Sequence, residues 1–120
     1  MANIVGIGAN VFDTLYSLDK FPTEDTKTCA KAVKECGGGP CATGLVAASK
    51  LGADCGFIGN YTDDSAGNFL KSDFEKYGVD TSYMTMKSGY NSFCSVLWLA
   101  SDTTSRTFVY YRGNVPQTEI

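Results

Sequence analysis

Apolar positions fall into two kinds of short run, and the difference between them divides the chain. Asn3 to Gly8 and Cys55-Gly56-Phe57-Ile58-Gly59 are unbroken apolar runs closed by glycine, the pattern of strands buried on both faces in a parallel sheet. Val11 to Leu18 alternates loosely, and Thr26 to Glu35 alternates again through Thr28, Ala30 and Ala32, with Val33 out of phase. Alternation predicts strands with one face in solvent. Ser92 to Ala100 and Arg106 to Tyr111 add two more such strands, with Phe93, Val96, Trp98, Phe108, Tyr110 and Tyr111 flanking the turn Ser101-Asp102-Thr103-Thr104. Their aromatic and β-branched content fits a pleated surface.

Two segments carry helical spacing. Cys41 to Leu51 supplies mostly small residues (Ala42, Leu45, Val46, Ala48, Ser49) that let a helix lie close to a sheet. Pro40 before it suits a first helical turn, where the missing N–H has no partner to lose, and Gly52 caps the end. Ser65 to Tyr77 repeats Phe69, Leu70, Phe74 and Tyr77 on one face, with Gly78 after it. Phe21-Pro22-Thr23-Glu24-Asp25 reads as a loop. This order predicts an α/β fold: a parallel sheet with an inserted antiparallel flap of two hairpins. Such a flap is an edge extension of the main sheet, a dimerisation surface or a lid over a ligand site, and the lid is the reading adopted.

Composition narrows the function. The 120 residues, 43% hydrophobic and 19% charged, match one ordinary globular core. A net charge of −3 argues against a nucleic-acid surface, which needs clustered Lys and Arg. No apolar run approaches the roughly 18 residues that span a bilayer, and the opening Met-Ala-Asn-Ile-Val-Gly-Ile-Gly lacks the features of a secretory leader. Cytoplasm is therefore expected. Five cysteines at irregular spacing (Cys29, Cys36, Cys41, Cys55, Cys94) and no histidine fit reduced thiols rather than a disulfide framework or a zinc site. The missing histidine also removes Ser-His-Asp and Cys-His catalysis.

Few residues then carry candidate chemistry. Gly37-Gly38-Gly39-Pro40 runs straight into a helix, so a ligand can approach its open backbone N–H groups, although a plain strand-to-helix turn has the same composition. It is not a Walker A loop, since Leu45 and Val46 stand where Lys and Ser or Thr are required. Gly6-Ile7-Gly8 is a partial dinucleotide-binding fingerprint with Val11 in place of the third glycine. Asp13 falls just past the first strand, where open α/β sheets bind ligands, and a carboxylate there accepts two hydrogen bonds from neighbouring hydroxyls. A solvated aspartate is the plainer alternative. Lys27 and Arg112, read as lying on flap strands, either face an anionic group or keep an edge soluble.

Together, Gly8-Ala9-Asn10-Val11-Phe12-Asp13, Phe21-Pro22, Gly38-Gly39-Pro40-Cys41-Ala42-Thr43, Ala47-Ala48-Ser49-Lys50-Leu51-Gly52-Ala53, Phe57-Ile58-Gly59-Asn60-Tyr61-Thr62-Asp63-Asp64, Gly67-Asn68 and Tyr77-Gly78-Val79-Asp80-Thr81 resemble the N-terminal signature of ribokinase-like (PfkB) sugar kinases. The resemblance implies a ribokinase-like α/β fold, the N-terminal part of a Rossmann-like parallel sheet with a β-strand lid. Residues 1–120 would form the N-terminal part of a single kinase domain, with lid strands at about 11–35 and 92–111. It also implies that Asp13 binds sugar hydroxyls, that Gly38 and Gly39 pack on the sugar, and that Thr43 stands where the family usually has a sugar-contacting asparagine. Threonine is shorter, which departs from a ribose preference.

The form Gly-Gly-Gly-Pro-x-Ala-Thr resembles a branch that includes sulfofructose kinase, whose basic lid residues hold an anionic tail, and Lys27 matches such a lysine. The family's catalytic aspartate lies in a Gly-Ala-Gly-Asp motif of the C-terminal half, which nothing in this chain matches. ATP and Mg2+ are thus expected of the full-length parent and no cofactor of this chain alone, which is expected to be inactive. The expected partners are a small sugar or sugar derivative and a second copy through the lid strands, with no nucleic acid and no membrane. Two readings compete. A dinucleotide-binding half-domain of an oxidoreductase requires a helix over Val11 to Leu18, and a non-enzymatic module would use the flap only to dimerise.

Overall fold

In chain order the computed structural model contains β1 (Ile4–Ile7), β2 (Val11–Leu18), β3 (Ala32–Gly38), α1 (Pro40–Lys50), β4 (Cys55–Thr62), α2 (Ser65–Lys76), β5 (Met84–Lys87), β6 (Cys94–Ala100) and β7 (Ser105–Tyr111). It describes residues 3–119; Met1 and Ala2, at the head of the stretch read above as no leader, and Ile120 lie outside the described residues.

The unbroken apolar runs make one parallel sheet, but β1, expected to be buried on both faces, is an edge strand with Ile4, Val5 and Ile7 exposed. The sheet's order is β1-β4-β5 and both pairings are parallel, so β4 is the central strand and needs apolar side chains along its length. Cys55 and Phe57 of β4, Ala42 and Leu45 of α1, Phe74 of α2 and Val79 form the core. Phe57 is fully buried and stacks on Phe74 with ring centroids 4.9 Å apart. Each such side chain contributes about 1.5–3 kcal/mol by leaving water. β5 falls where the order of strands and helices calls for a strand after α2, although no residues were assigned to it. Its four residues, Met84-Thr85-Met86-Lys87, are too short for periodicity and carry no glycine or proline punctuation.

The alternating segments form a second sheet with strand order β3-β2-β6-β7. Two antiparallel hairpins, β2–β3 and β6–β7, are joined by parallel pairing of β2 with β6. The flap is therefore mixed, not antiparallel throughout. Its third boundary also moves: β3 starts at Ala32, not Thr26. Residues 19–31 are a loop, because Thr26 Oγ donates to the Thr23 carbonyl at 2.6 Å, Phe21 packs edge-on to Trp98 at 5.4 Å, and an Asp19–Lys31 ion pair of 3.0 Å closes the loop's base. The ladder begins only where the Lys31 N–H reaches the Ser17 carbonyl at 2.8 Å. Val11 to Leu18 is a strand and not a helix, so Gly6-Ile7-Gly8 opens into β2 without the helix that a dinucleotide fingerprint requires.

One carboxylate ties the two sheets together. Asp64, the N-cap of α2, accepts from the Gly67 N–H at 2.8 Å, the Ser92 N–H at 3.1 Å, the Ser92 hydroxyl at 2.8 Å and the Thr62 hydroxyl. Thr62 ends β4 and Ser92 leads into β6; both are buried, and their hydroxyl oxygens lie within reach of each other, so when one donates to its neighbour only the other donates to Asp64. Burial opposes ionisation of Asp64, but these donors together hold its carboxyl below the usual range. A lowered folded-state pKa stabilises the fold above the unfolded pKa, and that stabilisation is lost as pH falls through the folded value. Asp64→Ala should lower unfolding free energy in urea by about 2 kcal/mol or more, from a lost cap and stranded buried hydroxyls. Asp64→Asn, which keeps an acceptor but not the charge, should flatten the fall in stability of the parent chain below about pH 4.

Candidate functional site

The first turns of β2 and the end of β3 build a cleft on the inner face of the mixed sheet. Pairing sets Val11 opposite Gly38 and Asp13 opposite Cys36, while on the other flank Asp13 lies beside Ser95 of β6. The Ser95 hydroxyl, 7% exposed, donates to one oxygen of the half-buried Asp13 carboxylate. The other oxygen crowds Gly38, where a β-carbon would lie 2.0 Å from it. Only glycine leaves the carboxylate that room. Gly39 follows at φ 100°, and a β-carbon there would meet the Ala9 carbonyl oxygen at 2.4 Å. Turn and carboxylate therefore come together because neither position carries a side chain.

Asp13 of β2, Ser95 of β6 and Tyr110 of β7 lie side by side across the sheet, and with Gly39, Pro40, Arg106 and Phe108 they line a cleft of about 400 Å³. α1 begins there without a side-chain hydrogen bond at its N-cap, leaving its first amides open. A fixed carboxylate sharing a cleft with two aromatic rings and a guanidinium can take a polyhydroxylated ligand: hydroxyls donate to the carboxylate and the carbon skeleton lies against the rings. Cys36 sits beside Asp13, and burial first, then the Asp13 charge, pushes its thiol pKa up. Burial and the Asp64 charge do the same to Cys94. Both stay protonated and are poor nucleophiles at neutral pH. All five cysteines are free. Among the described residues no group of three or more His, Cys, Asp or Glu side chains is placed to hold a metal ion, and no helix is long and apolar enough to cross a membrane.

Of the residues singled out from the sequence, Asp13, Gly38 and Gly39 converge here. The others lie apart. Thr43, exposed one turn into α1, lines a separate cleft of about 390 Å³ between β3, α1 and α2. Lys27 is exposed in the loop of residues 19–31 and not on a strand, because that segment closes on itself before β3 begins. Arg112 follows the last residue of β7, with its guanidinium 6.0 Å from the Tyr110 ring centre, and lines a neighbouring cleft of about 520 Å³. Sequence reasoning missed Ser95 and Arg106. A small hydroxyl inside an apolar strand was the available signal for Ser95. The alternation of Arg106, Phe108 and Tyr110 along β7 was the signal for Arg106.

The model of the pfkB family of carbohydrate kinases matches residues 1–119. Ketohexokinase from Mus musculus is 33% identical over 113 residues, covering 94% of this chain and 38% of that protein. A crystal structure from Agrobacterium tumefaciens, named as a ribokinase, superposes with a TM-score of 0.85 at 25% identity, covering 92% of this chain and 36% of the other. Ribokinase from Arabidopsis thaliana complexed with ribose and ATP gives a TM-score of 0.75 at 22% identity, covering 94% and 37%, and bears on the fold alone. The ribokinase-like fold expected from the sequence is thus present. The chain spans well under half the length of the curated relatives it matches.

Substitution at the glycine tests the close approach directly. Gly38→Ala should cost about 1–3 kcal/mol of stability by overpacking. Most of that cost should vanish in an Asp13→Ala background, where the obstructing carboxylate is gone. Equal costs in both backgrounds, measured by urea unfolding, would show that the carboxylate is not what restricts position 38.

Proposed function

Because the chain belongs to the pfkB family of carbohydrate kinases, we propose that the full-length protein transfers a phosphoryl group from ATP to a sugar hydroxyl and that this chain supplies the sugar-binding cleft. The observation that carries the reading is the Asp13 carboxylate, held by Ser95 and packed against Gly38, in a cleft it shares with Phe108 and Tyr110 of β7. Asp13 holds two adjacent hydroxyls, and the open turn lets the sugar ring rest against the main chain. Arg106, with Arg112 nearby and Lys27 on its loop, favours a substrate that also carries an anionic group. A ketohexose is the first neutral candidate, since the mouse relative is a ketohexokinase.

The rest of the reaction belongs to the full-length protein. Positioning alone does not transfer a phosphoryl group: a base and groups that neutralise the γ-phosphate are also needed. The described residues hold no carboxylate cluster that fits Mg2+. In this reading the chain binds sugar without releasing ADP. ADP release is measured with fructose, ribose and anionic sugars on the full-length protein and on this chain. Turnover by the full-length protein alone is expected, and turnover by the chain would overturn the division of labour. Asp13→Asn in the full-length protein should reduce kcat/KM by about 100-fold or more, the loss of two charge-assisted hydrogen bonds.

The lid strands are also the proposed homodimer contact. All seven residues of β7 are exposed, its outer edge is unpaired, and Val109 and Tyr111 alternate with the cleft-facing pair at 65% and 58% exposure. A free apolar edge of this kind favours pairing with another chain. Sedimentation should show a dimer that Val109→Lys converts to monomer. A monomeric parent would remove the lid from the assembly role.

A further inference from the structure

The reverse face of the mixed sheet carries a cleft that the sugar reading does not use. Asp13 and Tyr16 are three residues apart on β2, as Ser95 and Trp98 are on β6, so Tyr16 and Trp98 point away from the Asp13 side of the sheet. They are neighbours in the β2–β6 pairing. The loop of residues 19–31 folds over them and leaves a cleft of about 580 Å³, whose walls include Tyr16, Phe21, Pro22, Glu24 and Trp98. The Phe21 and Trp98 rings meet edge-on, with centroids 5.4 Å apart and planes at 67°, so they form a corner rather than a stack. Tyr16 adds a third ring from the adjacent strand. Glu24 is the only acidic residue among the walls, and its carboxylate makes no hydrogen bond or ion pair among the described residues. No lysine or arginine lines the cleft: Lys31 is held by Asp19 at the loop's base, and Lys20 and Lys27 belong to the loop without facing the cleft's walls.

We propose that this cleft binds a small organic cation, an alkylated ammonium ion, with its alkyl groups against the rings of Tyr16, Phe21 and Trp98 and its charge balanced by Glu24. The face of an aromatic ring is negative and attracts a cation within about 6 Å of the centroid, tryptophan most strongly. An alkylated ammonium suits three rings and one carboxylate better than a metal ion or a bare ammonium does. Its charge is spread over apolar groups, so it gives up little hydration on binding and fills the corner between the rings as it does so. A neutral molecule of the same shape fills the corner but leaves Glu24 without a counter-charge, and an anion is repelled by both. The cleft shares no lining residue with the Asp13 cleft, so the site stands independently of the sugar reading.

Trp98 is the single tryptophan of the 120 residues, so its fluorescence reports on the cleft. The probes are choline and neohexyl alcohol, its uncharged carbon isostere. Choline should change the fluorescence saturably, sodium chloride at matched concentration should not, and the isostere should bind about tenfold or more weakly. Phe21→Leu, which keeps apolar bulk but removes a ring, should weaken choline about tenfold, and Glu24→Gln about threefold. Both positions are exposed, so neither change disturbs the core. Asp13→Ala should leave choline binding within about twofold, since distant sites act independently. No saturable response to choline, or an unchanged affinity in Phe21→Leu, would overturn the site. Equal affinity for the isostere would make the cleft a plain apolar one, and loss of choline binding in Asp13→Ala would move the cation to the sugar cleft; either result sinks the proposal.

Discussion

Phe12 to Leu18 of β2 run beside Cys94 to Ala100 of β6 in parallel, and that seam is what makes a lid out of two hairpins. A two-stranded hairpin is at best marginally stable in water. Joined along the seam, the pair becomes a four-stranded sheet. The seam also sets Asp13 next to Ser95 and, one strand further on, Tyr110 of β7 next to Ser95. Break the seam, and Asp13 loses its hydroxyl partner while the aromatic wall of the cleft leaves with β7. Asp64 secures the base of the same arrangement, since its ligands come from the end of β4, the start of α2 and the entry to β6.

Much of this was legible along the chain, for reasons that differ by element. The unbroken apolar run around Phe57 reflects two-sided burial, whereas Val11 to Leu18, read from its period of two as one-sided, is half-buried on both faces along most of its length. Gly38 and Gly39 were placed beside a ligand only by the family resemblance, since a plain strand-to-helix turn has the same composition. What stayed hidden was long-range. Parallel pairing leaves no local mark, so the seam and the partnership of Asp13 with Ser95 were not readable. Lys27 was misplaced because alternation continues from Thr28 to Ala32, while the Thr23–Thr26 turn and the Phe21–Trp98 contact take the segment out of the ladder.

The Asp13 cleft and its neighbour at Arg112 differ in charge. Asp13, held by Ser95, puts a carboxylate in the first, with Arg106 at its rim, whereas the second carries Arg112 and the amides of Asn60 and Gln117. The carboxylate belongs to β2 and the guanidinium to the segment after β7.

The bond between Asp13 and Ser95 closes a loop of 82 residues. Contacts of such sequence separation are costly to form early, because chain entropy is lost before the contact repays it. The parallel sheet of β1, β4 and β5 and its helices can assemble from the first 87 residues, whereas the lid must wait for β6. During synthesis, therefore, β2 and β3 emerge long before the strand that completes them, and their apolar face stays open for that interval. The cleft is the last part of this chain to exist, and the half-made lid is its period of greatest exposure to wrong partners.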